Sequence, residues 1–380
     1  MISVATINQF TKPAPQLPIK WYADANVYKI EQSYLFPLAP HYVGHTLMVP
    51  NVGDYYTLDW MGEAKVLLHH ANGISLLSNV CRHRQAIILK GKGSLGGGTA
   101  KNIICPLHRW TYDTQGKLLG APHFEQNPCL HLENKPLQNW QGLLFDSSSN
   151  NQYDIAKELS TLGVAEDFDF TDYHLDKVNI EHYNFNWKTF IEVYLEDYHV
   201  GPFHPGLNQF VDCNELKWEF GNNFSAQTVG YKPAPDKHAS TTYQRWQNQV
   251  SQSHNKKRPK HGAIWMVYYP FLMIEWYPNV LVVSHLIPTG VDSCTNVVEF
   301  YYPEDIALFE REYVEAQQAA YAETAFEDKE ICQRMQDGRK ALFAQGLDQR
   351  GPYQYPMETG LEHFHVWYRQ QIAQHLPEHY

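Results

Sequence analysis

Two short segments do most to limit the folds open to this chain: Cys81-Arg82-His83 and, further on, Cys105-Pro106-Leu107-His108. Each puts a thiol and an imidazole on one loop, so a metal centre that uses both needs the two loops side by side. The runs around them, residues 55–60, 65–69 and 74–80, read as strands separated by Gly and Asn turns. A small antiparallel domain of roughly 110 residues is expected there. Six cysteines in 380 residues are too sparse for a disulfide framework, and in a reducing compartment clustered ones point to metal.

A Cys2His2 set can be a structural zinc site. One residue between the first Cys and His and two between the second, with both pairs at strand ends, matches instead the Rieske arrangement. There two cysteines hold one iron of a 2Fe-2S cluster and two histidines hold the other. The cofactor-binding candidates are therefore Cys81, His83, Cys105 and His108. Between the pairs, Gly91-Lys92-Gly93-Ser94-Leu95-Gly96-Gly97-Gly98 reads as a flexible surface loop, since Gly-rich runs cannot pack a core. Residues 137–145 read as the closing strand, and the polar run Asp146-Ser147-Ser148-Ser149-Asn150-Asn151-Gln152 as a boundary.

A second constellation lies in residues 181–204. Phe190, Ile191, Tyr194 and Leu195 recur at helical spacing, so the stretch up to about Val200 reads as a partly buried amphipathic helix. Glu196 and His199 are three apart and share a face. His204 follows Gly201 and Pro202, which end or kink the helix and let it turn back toward His199. Two imidazoles plus one distant carboxylate, with coordination positions left open, form the facial triad of non-haem Fe(II) sites. Among 20 histidines, however, two near a helix end are equally read as capping or surface residues.

The length allows two domains and a large core, and 43% apolar with 14% aromatic residues marks a globular chain. A net charge of −11 argues against nucleic acid or an anionic membrane as the main partner. The N-terminus shows no charged leader followed by an apolar run, and no stretch reaches the ~18–20 apolar residues of a membrane span, so a soluble cytoplasmic protein is expected. Residues 1–20 read as an extended arm, and residues 23–34 as a short helix. Residues 232–260, with the basic run His254-Asn255-Lys256-Lys257-Arg258-Pro259-Lys260, read as a solvated excursion. Strands follow at 264–269, 271–277, 280–286 and 296–302. Helices over 306–344 come next, started by Pro303-Glu304-Asp305, and the fold class is α+β.

The chain resembles the oxygenase component (α subunit) of the Rieske non-haem iron oxygenases. Asn79-Val80-Cys81-Arg82-His83-Arg84 and Cys105-Pro106-Leu107-His108-Arg109-Trp110 look like its cluster loops. Asn186-Trp187-Lys188 and Glu196-Asp197-Tyr198-His199 through His204 look like its mononuclear-iron segment. The resemblance implies an all-β Rieske 2Fe-2S domain over residues 40–150. It also implies a catalytic mononuclear Fe(II) domain over 151–380, of helix-grip fold with a large antiparallel sheet. Residues 1–39 would be an arm and helix packing on the latter. It implies a third iron ligand beside His199 and His204 on a late helix, for which Asp328 is the choice and Glu327 and Glu330 are rivals. Glu196 matches the acid that bridges the cluster of one subunit to the iron of its neighbour, and Asp197, about 100° away around a helix, is the weaker match. A homotrimer, a flavin- and NAD(P)H-dependent reductase, O2 and a small-molecule substrate are the implied partners. Two positions depart from the family: Arg109 stands where Gly is usual, and Val193 where many members have Asn.

The expected activity is that of a terminal oxygenase that hydroxylates or oxidatively demethylates a small organic molecule. Aromatic-ring dihydroxylation is the alternative. A Rieske electron carrier without oxygen chemistry and a zinc-stabilised binding protein are the readings from other classes. The expected pocket draws on Phe203, Trp265, Tyr268, Tyr269 and Trp276, aromatic residues suited to a planar ring or a quaternary ammonium. The surroundings of the iron segment and of Pro278-Asn279 resemble the choline, glycine betaine and carnitine monooxygenases.

Overall fold

The computed structural model describes residues 16–96, 102–147, 154–233 and 240–377. The arm expected over residues 1–15, Gly97 and Gly98 of the Gly-rich stretch, and residues 148–152 of the polar run lie outside the described residues. Two compact units emerge, Pro40–Thr161 with Ala165–Ile180, and Met1–Ala39 with Leu162–Val164 and Glu181–Tyr380.

The first unit is all β apart from short turns of helix. Its largest sheet has five strands in the order Lys92–Ser94, Asp54–Thr57, Lys65–His70, Gly73–Ser78, Asn134–Lys135. Val66, Leu67 and Leu68 are all buried, so the central hairpin is covered on both faces. Side chains alternate, and Val66, Leu68 and Leu77 pack with Cys81, Cys105, Trp110 and Tyr112, whereas Leu67 and Leu76 pack with Val43, Met48 and Leu144. One face of the hairpin thus forms the floor under the Cys/His loops.

Two expectations are corrected here. Residues 137–145 form a hairpin, Leu137–Trp140 paired with Leu143–Asp146, because Gln141 and Gly142 both adopt positive φ (49° and 91°) and reverse the chain in two residues. Within the Gly-rich stretch, Lys92–Ser94 is an ordered edge strand on Asp54–Thr57. Glycine at 93 serves close approach, since a Cβ there would meet the Tyr55 hydroxyl at 2.7 Å.

The second unit is organised on an antiparallel sheet of seven strands. These are β1 (Tyr173–Tyr183, of which only Glu181–Tyr183 belongs to this unit), β2 (Val211–Phe220), β3 (Phe224–Tyr231), β4 (Ala263–Tyr268), β5 (Leu272–Tyr277), β6 (Val280–Gly290) and β7 (Ser293–Pro303), in the order β1-β7-β6-β5-β4-β3-β2. Six helices matter for the site: α1 (Trp187–Tyr194), α2 (Val200–Phe203), α3 (Thr241–Ser253), α4 (Glu304–Phe309), α5 (Arg311–Ala344) and α6 (Thr359–Ile372). Cross-strand pairing puts Gln227, Trp265, Glu275, Val282 and Phe300 in one row. That row and its i±2 neighbours share a face. Trp265, Tyr277, Val282, Phe300 and Tyr302 bury there with Tyr243 and Trp246 of α3 and Tyr313, Val314 and Ala320 of α5. Further along the same face, Val267, Met273 and Leu286 pack with Trp187 and Ile191 of α1 and with Phe364 and Tyr368 of α6.

Helix α5 is 34 residues long, about 51 Å at 1.5 Å per residue. Its buried residues fall on one stripe that runs from Tyr313, Val314 and Ala316 to Cys332 and Gln336. The excursion expected over 232–260 contains α3, whose Tyr243, Trp246 and Val250 at i, i+3 and i+7 are buried; Thr, Gln, Ser and Asn elsewhere on it hid the stripe. The helix expected over 23–34 is broken into Lys20–Ala23 and Ala25–Ile30, with the side chain of Asp24 capping the second, followed by a wider turn over Glu31–Leu35. No helix among the described residues is long and apolar enough to cross a membrane.

Candidate metal centres and active site

Helix α1 starts at a defined cap, where the Asn186 side chain accepts from Lys188 N at 3.0 Å. It stops at Tyr194, earlier than the expected Val200. The helical ladder ends where Asp197 N donates to Met357 O at 3.3 Å in place of Val193 O, and the Glu196 carboxylate then accepts the backbone N–H of His199 at 3.0 Å. Glu196 and His199 are therefore joined by a turn and do not share a helix face. After the single turn of α2, which accommodates Pro202 near its start, His204 emerges buried (1% exposed).

The turn brings both imidazoles to α5. Asp328 Oδ1 lies 3.0 Å from His204 Nε2 and 3.6 Å from His199 Nε2. One donor atom from each of the three lies within 4.8 Å of the others, and this is the group of that kind found among the described residues. The outward nitrogens are also held: His199 Nδ1 by Glu196 Oε1 at 2.5 Å and His204 Nδ1 by Glu327 Oε2 at 2.6 Å. Fixing Nδ1–H in this way sets the tautomer that leaves Nε2 free to bind a metal. Adjacent helical positions point about 100° apart, so Asp328 and Glu327 reach opposite nitrogens of the same ring. Glu330, the other rival, pairs with Arg334 at the surface.

Electrostatics agree with a cation site. Burial alone would lower His199, but Asp328 and Glu196 raise it to about 10. His204 is likewise raised by Asp328 and Glu327 against burial, and Asp328 is lowered by both histidines against burial. Three carboxylates around two imidazoles leave a negative pocket, and two nitrogens and an oxygen on one side of it suit an Fe(II) that keeps open positions. Asp197 stands outside this group of three donors: it is 2% exposed, its carboxyl neighbours the Cys213 thiol, and burial and Glu196 push it up to about 7. Val193 is buried in the apolar cluster around Trp187 and Met273.

The two Cys/His loops of the other unit are built alike. Gln85 N donates to Cys81 O and Arg109 N to Cys105 O, both at 3.1 Å, while Cys81 N donates to Ala86 O at 2.9 Å and Cys105 N to Trp110 O at 2.8 Å. The fifth residue of each loop, Gln85 (φ 53°) and Arg109 (φ 59°), is left-handed. This is why glycine suits position 109 and why a side chain there is strained. Both thiols are 2% exposed and neighbour each other, with the Tyr112 hydroxyl 3.4 Å from Cys81 Sγ. The His83 and His108 rings lie 4.7 Å apart, His83 stacked on Trp110 at 4.9 Å. Thiols pair with thiols inside and imidazoles with imidazoles outside, which suits two irons better than a single zinc that needs all four donors at one point.

The expected aromatic pocket is divided by the sheet. Trp265 faces the helices, and Phe203 lies 5.4 Å edge-on to His204. Tyr268 and Trp276 are one residue out of phase with the row and face the other way. Tyr269 packs on Phe364 and Trp367 of α6. Sequence reasoning missed Glu275, which is 3% exposed; its signal was a single acid inside the apolar run Leu272–Tyr277.

Family models account for both units. The Rieske [2Fe-2S] domain matches residues 39–140, and the catalytic domain of the ring hydroxylating alpha subunit matches residues 165–374. The chain belongs to the Rieske oxygenase α-subunit family. This Rieske oxygenase is an oxidoreductase that carries a 2Fe-2S cluster and a mononuclear iron, and such α subunits work with a separate reductase and O2 to hydroxylate or demethylate small molecules. A putrescine 2-hydroxylase of Ralstonia nicotianae is 55% identical to it over 369 residues, 97% of this chain and 99% of that one. A putrescine 2-hydroxylase of Bordetella bronchiseptica is 48% identical over 94% and 85% of the two chains, and a chloroplastic choline monooxygenase of Atriplex hortensis 27% over 93% and 77%. Among solved structures, the quaternary ammonium Rieske monooxygenase CntA shares its fold at a TM-score of 0.75 and 19% identity, covering 95% of this chain and 96% of that one. A naphthalene 1,2-dioxygenase of Rhodococcus sp. shares it at 0.70 and 17%, covering 99% and 100%.

Proposed function

We propose that this Rieske oxygenase hydroxylates carbon 2 of a short α,ω-diamine of the putrescine class. The observation that carries the reading is 55% identity to a putrescine 2-hydroxylase over nearly the full length of both chains. The reaction balances as R–H + O2 + 2 e⁻ + 2 H⁺ → R–OH + H2O, with the electrons drawn from NAD(P)H through a flavin reductase. Ring dihydroxylation and quaternary-ammonium oxidation are the less favoured readings, since the arene and choline enzymes stand at 17% and 27% identity.

In this reading Cys81 and Cys105 hold one iron of the cluster, His83 and His108 the other, and His199, His204 and Asp328 the mononuclear iron. When bound, the irons supply O2 activation and one-electron delivery. The chain's own residues do the rest. Glu196 and Glu327 fix the Nδ1 protons of the two ligand histidines, and Glu196 also links this site to a cluster in a neighbouring subunit of a homotrimer. Six unpaired cysteines suit the reducing cytoplasm.

The test is turnover with a reductase, NADH, O2 and butane-1,4-diamine, with products read by mass spectrometry. A product 16 mass units heavier, oxidised at carbon 2, is expected. Oxidation of choline or naphthalene in its place, with the diamine untouched, would overturn the assignment.

A further inference from the structure

A buried acid sits in the catalytic unit away from the metal-type ligands, and the mechanism above makes no use of it. Glu275, on β5, is 3% exposed in the row that faces the helices. Tyr277 donates to its Oε2 at 2.6 Å and Tyr321, on α5, to its Oε1 at 3.3 Å. Trp265 Nε1 in turn donates to the Tyr277 hydroxyl at 2.8 Å. Phe300 lies edge-on to Tyr321 at 5.1 Å. The carboxylate is thus ringed by aromatic faces and holds two hydrogen bonds of the roughly four it can accept.

Two further acceptors close to this row are unmet. The Tyr194 hydroxyl, at the end of α1, is buried without a partner, and so is Gln227 Oε1, whose amide nitrogen donates to Tyr194 O at 2.9 Å. Tyr194 belongs to the same cluster, since after burial the Glu275 charge is the largest influence raising its hydroxyl. Buried polar atoms without partners in a native fold call for an explanation. An ammonium group brings a positive charge and three N–H donors, which is the complement of a carboxylate, an open hydroxyl and surrounding ring faces.

The spacing to the iron-type ligands fits a short chain. Tyr321 and Asp328 lie seven residues apart on α5, so they share a face about 10 Å apart along the axis. An extended four-carbon diamine spans roughly 6 Å between nitrogens, from bonds near 1.5 Å. One end held at Glu275 leaves the carbons between it and Asp328.

From this geometry we infer that Glu275, aided by Tyr321 and Tyr194, is the anchor for one ammonium of the substrate and sets its specificity for primary amines. The inference rests on the diamine reading above and deepens it. A quaternary ammonium has no N–H to offer and gains only the ring faces, so the site selects against choline-type substrates.

The holoenzyme is assayed with butane-1,4-diamine, with butane-1,4-diol, which lacks the charge, and with the bis(trimethylammonium) analogue, which lacks the N–H donors, and diamine binding is measured anaerobically by calorimetry. The unmodified enzyme should prefer the diamine by at least 100-fold in kcat/KM. Glu275→Gln should lose most of that preference and weaken calorimetric binding by a similar factor, with iron and sulfide content unchanged. Tyr321→Phe should weaken binding about 10-fold. Unaltered diamine binding in a metal-replete Glu275→Gln protein overturns the inference. If that variant does not fold, the unmodified enzyme still decides: equal use of the diamine and its bis(trimethylammonium) analogue, which carries the same charges without N–H donors, overturns the anchor. An unmodified enzyme that oxidises no diamine at all defeats the diamine reading itself, a separate outcome.

Discussion

Asp328 and Glu327 are adjacent carboxylates of similar chemistry, yet they meet different nitrogens of His204, and their removal should differ in kind. Asp328→Ala takes away the carboxylate oxygen that lies beside both Nε2 atoms, so the mononuclear iron should be lost while the cluster is retained. Glu327→Gln removes only the support of His204 Nδ1 and should weaken iron binding about 10- to 100-fold. Iron and sulfide analysis of both variants checks this; iron kept in the first and lost in the second would reverse the roles. Arg109 offers a second test. Its left-handed backbone costs a side chain about 1 kcal/mol that glycine avoids, so Arg109→Gly should stabilise the cluster unit by up to about that amount. Removing a cation beside His108 should also lower the cluster's reduction potential, because the reduced cluster carries one more negative charge. Thermal melts and a redox titration read the two effects independently.

At the scale of elements, α1 must be held against α5 for the two histidines to meet Asp328. Glu192 of α1 makes that junction, 2.5 Å from Arg339 of α5 and 2.8 Å from His365 of α6. Burial would raise its pKa, but Arg339 and His365 outweigh burial and hold it at about 2, against 4.5 when unfolded. A carboxyl lowered in the folded state contributes stability that is complete above pH 4.5 and is lost as pH falls toward 2, on the order of 3 kcal/mol. Acid unfolding of the catalytic unit should therefore steepen in that window. Glu192→Gln should flatten the slope, and at neutral pH should cost up to about 3 kcal/mol because Arg339, 14% exposed, loses its ion pair. Far-UV circular dichroism against pH is the measurement. The end of α1 was not legible in the sequence, because the apolar pattern continues to Leu195 and only the fold shows Asp197 N turning to Met357 O and the Glu196 side chain taking the His199 amide.

At the scale of the whole molecule, the proposed trimer predicts complementation. A subunit with a ruined cluster (Cys81→Ser) keeps its iron site, and one with a ruined iron site (Asp328→Ala) keeps its cluster. Each alone should be inactive. Mixed oligomers should recover part of the activity if electrons cross between subunits, and none if transfer stays within one chain. What the sequence determined by itself was whatever depends on local spacing. Cys81, His83, Cys105 and His108 fall on two short loops, and His199 and His204 on one turn, so the types of the candidate donors and their spacing could be read directly. The strand-like runs at residues 65–69 and 280–286 likewise announced the strands Lys65–His70 and Val280–Gly290. What only the tertiary structure decided was every pairing across long separations. Nothing local distinguishes Asp328 from Glu327, because the choice depends on how α5 is rotated against His204, 124 residues earlier. Nor does an isolated Glu275 show which face of β5 it occupies, because that face is fixed by the register with Trp265 and Val282 on the neighbouring strands.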